Sequence, residues 1–174
     1  MSHMTASQDH LYLTAAHDYS AALERLARVY EADVEKRRDL LQDINVALWR
    51  SFAKFNGACS MRTWVFRVAH NTAVSHVVRE KRRRPQSMLD LEEIEQTPGP
   101  VFTDQNDRRQ QVEQLLSMIR KLKPIDRQVV LAYLEDMDAA GIAEMTGLSA
   151  GNVATKIHRI KRVLAKRFRT GDRT

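Results

Sequence analysis

The side chains in this 174-residue chain best suited to holding a metal are six histidines and a single cysteine, Cys59. Their spacing makes no zinc motif. No glycine-rich phosphate loop follows a strand pattern, and no Ser/His/Asp arrangement is set out for nucleophilic attack. The carboxylates of Asp39 and Asp43, at i and i+4, read as the polar edge of an interface rather than an acid–base pair. The sequence therefore offers no catalytic residue, no cofactor or metal site and no pocket chemistry for a small-molecule substrate. What it does offer is cations in patterns. Five of the six residues from Arg79 to Arg84 are basic, and Asn152, Thr155, Lys156, Arg159, Arg162 and Lys166 form a polar and basic stripe at helical spacing. Guanidinium, ammonium and amide groups so arranged recognise phosphates and base edges.

The elements that must position these groups are helical. Residues are 43% hydrophobic but only 6% aromatic, with 6 Gly and 4 Pro, and long Leu/Ala/Arg/Glu-rich segments run between few turn residues. That composition favours an all-α protein with globular cores. The net charge of +6 and pI of about 9.7 suit an anionic partner. With one cysteine there is no intrachain disulfide, which fits a reducing compartment. No apolar run approaches the roughly 18 residues of a membrane span, and the N-terminus lacks a secretory pattern. The expectation is a cytoplasmic helical protein with no membrane insertion.

In chain order, Ala15, Ala22, Leu23, Leu26, Ala27, Val29 and Tyr30 predict one or two helices over 14–30. The segment Glu35–Phe52 predicts a stronger one, with Leu40, Leu41, Ile44, Ala47 and Leu48 on an apolar face and Asp39, Gln42, Asp43 and Asn45 away from it. Trp49 is a large anchor near its end, suited to a core or an interface. A short glycine-centred loop, Lys54 to Ser60, leads to Ser60 as N-cap of the next helix. There the spacing buries Met61, Trp64, Val65, Val68, Ala69, Thr72, Ala73 and His76 and turns Arg62, Arg67, His70, Asn71 and Val74 elsewhere. Pro85 ends the basic run.

From Pro85 to Asp107 there are six acidic residues, no Lys or Arg, and Pro98-Gly99-Pro100 in the middle. This predicts a flexible acidic linker over 85–106 between two small helical domains, 10–84 and 107–170. In the second domain Val112, Leu115, Leu116, Ile119 and Leu122 mark a helix, Lys123-Pro124 breaks it, and a second runs from Ile125 to Leu134. A helix over Ala139–Met145, a Thr146-Gly147-Leu148 turn and a long helix from Ser149 to Phe168 give a helix-turn-helix pattern. Val153, Ile157, Ile160, Val163, Leu164 and Phe168 are its expected buried stripe.

Taken together, these segments resemble the extracytoplasmic-function (group four) sigma factors of bacterial RNA polymerase over about Tyr19 to Phe168. Asp39-Leu40-Leu41-Gln42-Asp43 with Leu48-Trp49 is similar to the family's DLVQE…AW segment. Phe55-Asn56-Gly57 with Ser60-Met61-Arg62-Thr63-Trp64 is similar to F-x-G-x-x-S-x-x-T-W, and Arg67-Val68-Ala69-His70-Asn71 to R-I-A-R-N. Leu122 and Pro124 with Arg127 and Val129 fall at the L-P and R-x-V positions. Ile142 to Ser149 followed by Gly151-Asn152-Val153 resembles IAEILGLS-x-GTV. Two positions depart from the pattern: Gly141, where a charged or polar residue is usual and glycine costs about 1 kcal/mol against alanine, and Ala154, where lysine is common.

The resemblance implies an alternative sigma factor that binds core RNA polymerase and promoter DNA, reads −35 and −10 elements and opens the strands. By it, Asp39, Leu40, Gln42, Asp43, Leu48 and Trp49 would bind the clamp helices of the polymerase. Phe55, Asn56, Ser60, Arg62, Thr63, Trp64, Arg67 and Asn71 would serve −10 recognition and melting, with Trp64 assigned to packing ahead of stacking on DNA. Ser149, Asn152, Thr155, Lys156, Arg159 and Arg162 would read −35. The acidic linker suits a basic polymerase channel that normally carries RNA, although a plain tether has the same composition. Family members are often held by an anti-sigma factor, and no long extra C-terminal domain is evident that would replace one. The alternative is a helix-turn-helix regulator with an N-terminal sensing or dimerisation domain, which has no need of the Asp39–Trp49 and Phe55–Trp64 segments. A nucleic-acid-modifying enzyme would need a catalytic constellation that the sequence lacks.

Overall fold

The structure, a computed structural model, describes residues 2–83, 87–99, 101 and 107–168, with 2–6 described by backbone alone. It divides into two compact units, Met1–Gln86 and Ser87–Thr174, and the described secondary structure is helical apart from one isolated bridge.

The N-terminal unit contains α1 (Ser2–Tyr30), α2 (Val34–Ser51), a single 3-10 turn (Phe52–Lys54) and α3 (Met61–Arg83). All seven apolar residues expected to be buried on α1 are buried, from Ala15 to Tyr30, and α1 packs against α2, whose Leu40, Ile44 and Leu48 are buried too. Each buried Leu or Ile contributes about 1.5–3 kcal/mol. Asp33 caps α2 by accepting from the Lys36 N–H at 3.0 Å. Ser60 caps α3, its Oγ accepting from the Thr63 N–H at 3.0 Å.

The burial of α3 corrects the sequence reading. Thr63, Phe66 and His70 are buried, whereas Met61, Trp64, Val68 and Thr72 are half-buried. The helix packs against both α1 and α2, so its buried face is wider than one stripe and turned toward α1. Phe66 meets Tyr19 edge-on at 6.4 Å, and the Tyr30 hydroxyl lies 3.0 Å from His70 Nδ1. A polar ring is tolerated there because a partner for it comes buried on α1.

In the C-terminal unit are α4 (Leu91–Gln96), α5 (Arg108–Arg120), α6 (Pro124–Leu134), α7 (Ala139–Thr146) and α8 (Ala150–Arg167). Here the segment expected to be a flexible linker differs over its described part. The Leu89 N–H donates to the Lys121 carbonyl and the Lys123 N–H donates to the Leu89 carbonyl, each at 2.7 Å, pinning this strand-like stretch to the α5–α6 turn. Asp90 and Glu93 form a capping box, and Leu91 and Ile94 are buried against the unit's core. Both signals lie in Asp90-Leu91-Glu92-Glu93-Ile94, but the acidic count and the Pro-Gly-Pro outweigh them in a reading by composition. The expected boundary at 84–85, residues 100 and 102–106 of the expected linker and residues 169–170 lie outside the described residues, while Asp107, the expected start of the second domain, is the N-cap of α5.

Leu122, Ile119, Val129, Ile142, Val153 and Ile160 form the core of this unit. On α5 Val112 is exposed, and on α8 Ile157, Leu164 and Phe168 are half-buried while Arg167 is buried. The Gly141 departure has a steric reason. A Cβ there would lie 2.9 Å from Asp138 Oδ1 and 3.0 Å from Met137 Cγ, and the Gly141 N–H donates to that same Oδ1 at 2.7 Å. The close α7 cap excludes a side chain, so alanine's helix propensity would come at the expense of the cap. Turn geometry closes α7 at Gly147, φ +75°, whose N–H donates to the Ala143 carbonyl.

Candidate nucleic-acid interface

Leu40, Ile44 and Leu48 point inward on α2, which leaves Asp39, Gln42, Asp43, Val46, Trp49 and Arg50 exposed on one side at helical spacing. Leu40 and Leu48 are fully buried and cannot touch a partner directly; they set the face from beneath. Val46, 41% exposed, was not singled out in the sequence, although it lies on the same stripe as Gln42 and Trp49. The Trp49 indole N–H donates to Asp9 at 2.7 Å and Gln8 donates to the Trp49 carbonyl at 2.7 Å, so α1 fixes this exposed ring. An open groove separates this face from α3, where Val78, Arg79 and Arg82 line the far wall. Arg79 reaches across it to Asp43 at 3.3 Å, with both groups well exposed. Such a pair is worth under about 1 kcal/mol and leaves both partners available.

Between the 3-10 turn and α3, Asn56, Gly57, Ala58 and Ser60 are exposed. Gly57 has φ +75°, where a side chain would be strained. The Asn56 Oδ1 accepts from the Ala58 N–H at 3.0 Å, a turn made by an exposed residue. Aromatic packing holds the loop's base: Phe55 meets Trp64 at 5.2 Å and Phe52 at 6.0 Å, and the Trp64 indole donates to Ser51 Oγ at 2.9 Å. These bonds tie Trp64 to the unit's own packing. Thr63, 3% exposed, accepts from Ser60 Oγ and belongs to the cap rather than to the surface. Along α3, Arg67 and Asn71 share a side with Val74, Val78 and Arg82. Arg62 lies across the helix from them, five residues or roughly 1.4 turns away, its guanidinium 5.9 Å over the Phe66 ring.

The N-terminus of α8 is open. Ser149 Oγ accepts from the Asn152 N–H at 3.2 Å, and Asn152, Thr155 and the unforeseen His158 are exposed. Lys156 turns the other way. Its ammonium pairs with Asp126, which is 1% exposed and whose second oxygen accepts from the Leu91 N–H at 3.1 Å. Arg159 and Arg162 face α4, pairing with Glu92 at 2.9 Å and Glu95 at 2.7 Å.

At the start of α4, the N–H of Glu93 holds the Asp90 carboxyl below its ordinary value, against a smaller opposing effect of desolvation, and Lys123 adds to the lowering. A carboxylate with a depressed folded value contributes stability above the ordinary aspartate range and loses it as pH falls through the lowered value. Acidification is therefore expected to leave the Glu93 amide protected from hydrogen exchange at about pH 4 and to release it only below. Asp90→Asn, which keeps the acceptor but not the charge, should abolish that step.

Two helical units, one carrying an exposed acidic and apolar helix face beside a capped loop, the other a helix-turn-helix with a basic second helix, define a DNA-binding protein of the transcription machinery. The chain matches the Sigma-70 region 2 family over residues 16–83 and the Sigma-70, region 4 family over residues 112–164. It is 29% identical over 134 residues to RNA polymerase sigma factor YlaC of Bacillus subtilis, covering 76% of this chain and 78% of that protein. With ECF RNA polymerase sigma factor SigW of the same organism it shares 24% identity over 163 residues, 87% of this chain and 82% of the relative. With the RNA polymerase sigma-H factor of Pseudomonas aeruginosa it shares 25% over 142 residues, 77% and 74% of the two chains. A solved structure described as CnrH in complex with the cytosolic domain of CnrY has the same fold, with a TM-score of 0.65 at 19% identity over 94% of this chain and 91% of that one. The chain belongs to the sigma-70 family, as an extracytoplasmic-function sigma factor. It is an alternative sigma factor, directing RNA polymerase to promoters. No described helix is long and apolar enough to cross a membrane.

Proposed function

We propose that the three exposed faces divide promoter recognition and opening among them. The α2 face, Asp39, Gln42, Asp43, Val46 and Trp49, grips core RNA polymerase. Its apolar residues Val46 and Trp49 are exposed, and its acidic rim suits a basic helical partner. The Asn56 loop takes up an unstacked −10 base. Unstacking costs a few kcal/mol, recovered by hydrogen bonds to the base edge, and the side-chain amide of the exposed Asn56 is the group on offer. Arg67 and Asn71 follow the adjoining strand. In the C-terminal unit, Asn152 and Thr155 at the α8 N-terminus reach −35 base edges, with Ser149 contributing its cap and Arg159 and Arg162 meeting phosphate. Lys156 supports α8 from below through Asp126. An anti-sigma factor is the expected regulator, in keeping with a fold neighbour solved with a second protein's cytosolic domain.

The observation that carries this reading is the exposed α2 face beside the exposed Asn56 loop on one unit, a combination a simple helix-turn-helix regulator would not use. Mixed with core RNA polymerase, the protein is expected to co-purify with it and to support promoter-dependent run-off transcription. Binding to promoter DNA without any association with core polymerase would favour the regulator instead.

A further inference from the structure

The carboxylates of α4 hold the two arginines that α8 would turn to phosphate. Glu92 accepts from Arg159 at 2.9 Å and Glu95 pairs with Arg162 at 2.7 Å, about one turn apart on each helix. Main-chain oxygens of the same segment take the next cations: Lys166 donates to the Glu95 carbonyl at 3.1 Å, and the buried Arg167 donates to the Ile94 and Thr97 carbonyls. A row of anionic and carbonyl oxygens along a basic helix flank is what a phosphate backbone would present to it. We propose that α4 is a built-in phosphate mimic, masking Arg159 and Arg162 in the free chain and leaving α8 when DNA takes its place. This rests on the reading of α8 as the −35 helix.

The geometry makes α4 both a specific mask and a removable one. Specificity comes from Leu91 and Ile94, buried in the unit, and from the Leu91 N–H bond to Asp126, which set the register of Glu92 and Glu95. Removability comes from size and exposure. A six-residue helix does not persist in water without its packing. One member of each ion pair is well exposed, Arg162 at 61% and Glu92 at 56% against 34% for Arg159 and 16% for Glu95, so salt and competing phosphates reach both pairs and weaken them. Asn152, Thr155 and His158 stay exposed beyond the reach of these pairs. DNA can therefore engage the open N-terminal end of α8 first and displace α4 afterwards.

The test uses the full chain titrated into a short mixed-sequence DNA duplex, because phosphate contacts and their salt dependence need no particular promoter. Glu92→Gln with Glu95→Gln is expected to tighten binding by about fivefold or more at low salt, on the reasoning that freed cations release counterions. The charge control is Asp136→Asn, in the α6–α7 turn at φ +57°, a conformation asparagine tolerates, and it is expected to leave affinity within about twofold. In the unaltered chain, hydrogen exchange should show the α4 amides losing protection as DNA is added. A double glutamine variant that binds no more tightly than Asp136→Asn, or α4 amides that stay protected on DNA, overturns the mask. Arg159→Glu separates the two layers of the inference. If it weakens binding and lowers the salt slope while the glutamine variant gains nothing, the mask alone falls. If it changes neither, α8 is not the DNA-binding helix and both readings fall.

Discussion

Asp126→Ala is expected to destabilise the C-terminal unit by about 3 kcal/mol, the lower end for breaking a buried pair because Lys156 keeps some contact with water. The carboxylate is 1% exposed and serves three elements: it sits on α6, accepts the Leu91 N–H that starts α4, and neutralises Lys156 of α8. Alanine would strand both donors. At about 4–8 °C per kcal/mol for a unit of this size, the unit should melt 12 °C or more lower. Both tryptophans, Trp49 and Trp64, lie in the N-terminal unit. Tryptophan fluorescence should therefore keep its melting temperature while the helical circular dichroism signal gains an earlier transition. Adding Lys156→Met removes the stranded charge and should restore part of the loss. If the double variant is no more stable than Asp126→Ala, the pair is not what holds the three elements.

Asn56→Ala is expected to reduce open-complex formation by about 10- to 100-fold, the range of one lost base-edge contact, while core polymerase binding is unchanged. The residue has two jobs that must be separated, since its Oδ1 also shapes the loop by accepting from the Ala58 N–H. Serine in its place keeps a turn acceptor but offers no amide. Asn56→Ser should thus be nearly as impaired as alanine if base contact matters, and nearly normal if only loop shape does. Permanganate footprinting of the −10 region reads melting directly, and normal reactivity in the alanine variant would remove the loop from the opening step.

The helices were legible because their apolar residues recur at helical spacing: every residue expected to be buried on α1 is buried, and the Ser60 and Ser149 caps stand where the sequence puts them. What misled was any inference from spacing to exposure. Leu40, Leu48 and Thr63 carry motif positions yet lie in the core, because a motif records fold and function together. His70, expected on the outer side, is buried together with Phe66, which the spacing left unassigned, since a helix packed on two others buries more than one stripe. The largest surprise was α4, whose acidic residues read as a tether by composition. Their partners, Arg159 and Arg162, are distant in the sequence, and no local pattern shows a pairing made only by the tertiary fold. The same distance concealed Lys156, whose place in the basic stripe gave no sign of Asp126 beneath it.

That distance also orders the birth of the protein. The contacts joining α4 to α8 close loops of 67, 71 and 73 residues, from Glu92–Arg159 to Ile94–Arg167. Contacts of such separation form late, after the local helices and their short-range packing. During synthesis the N-terminal unit is complete before any of α8 exists and can fold on the ribosome, whereas α4 emerges long before the α8 cations it pairs with. A nascent chain halted before Arg159 would hold α4 only through the Leu89 pairing with the α5–α6 turn and the Leu91–Asp126 bond, without the cations of α8 that close it. The second unit closes late, when α8 arrives to meet α4.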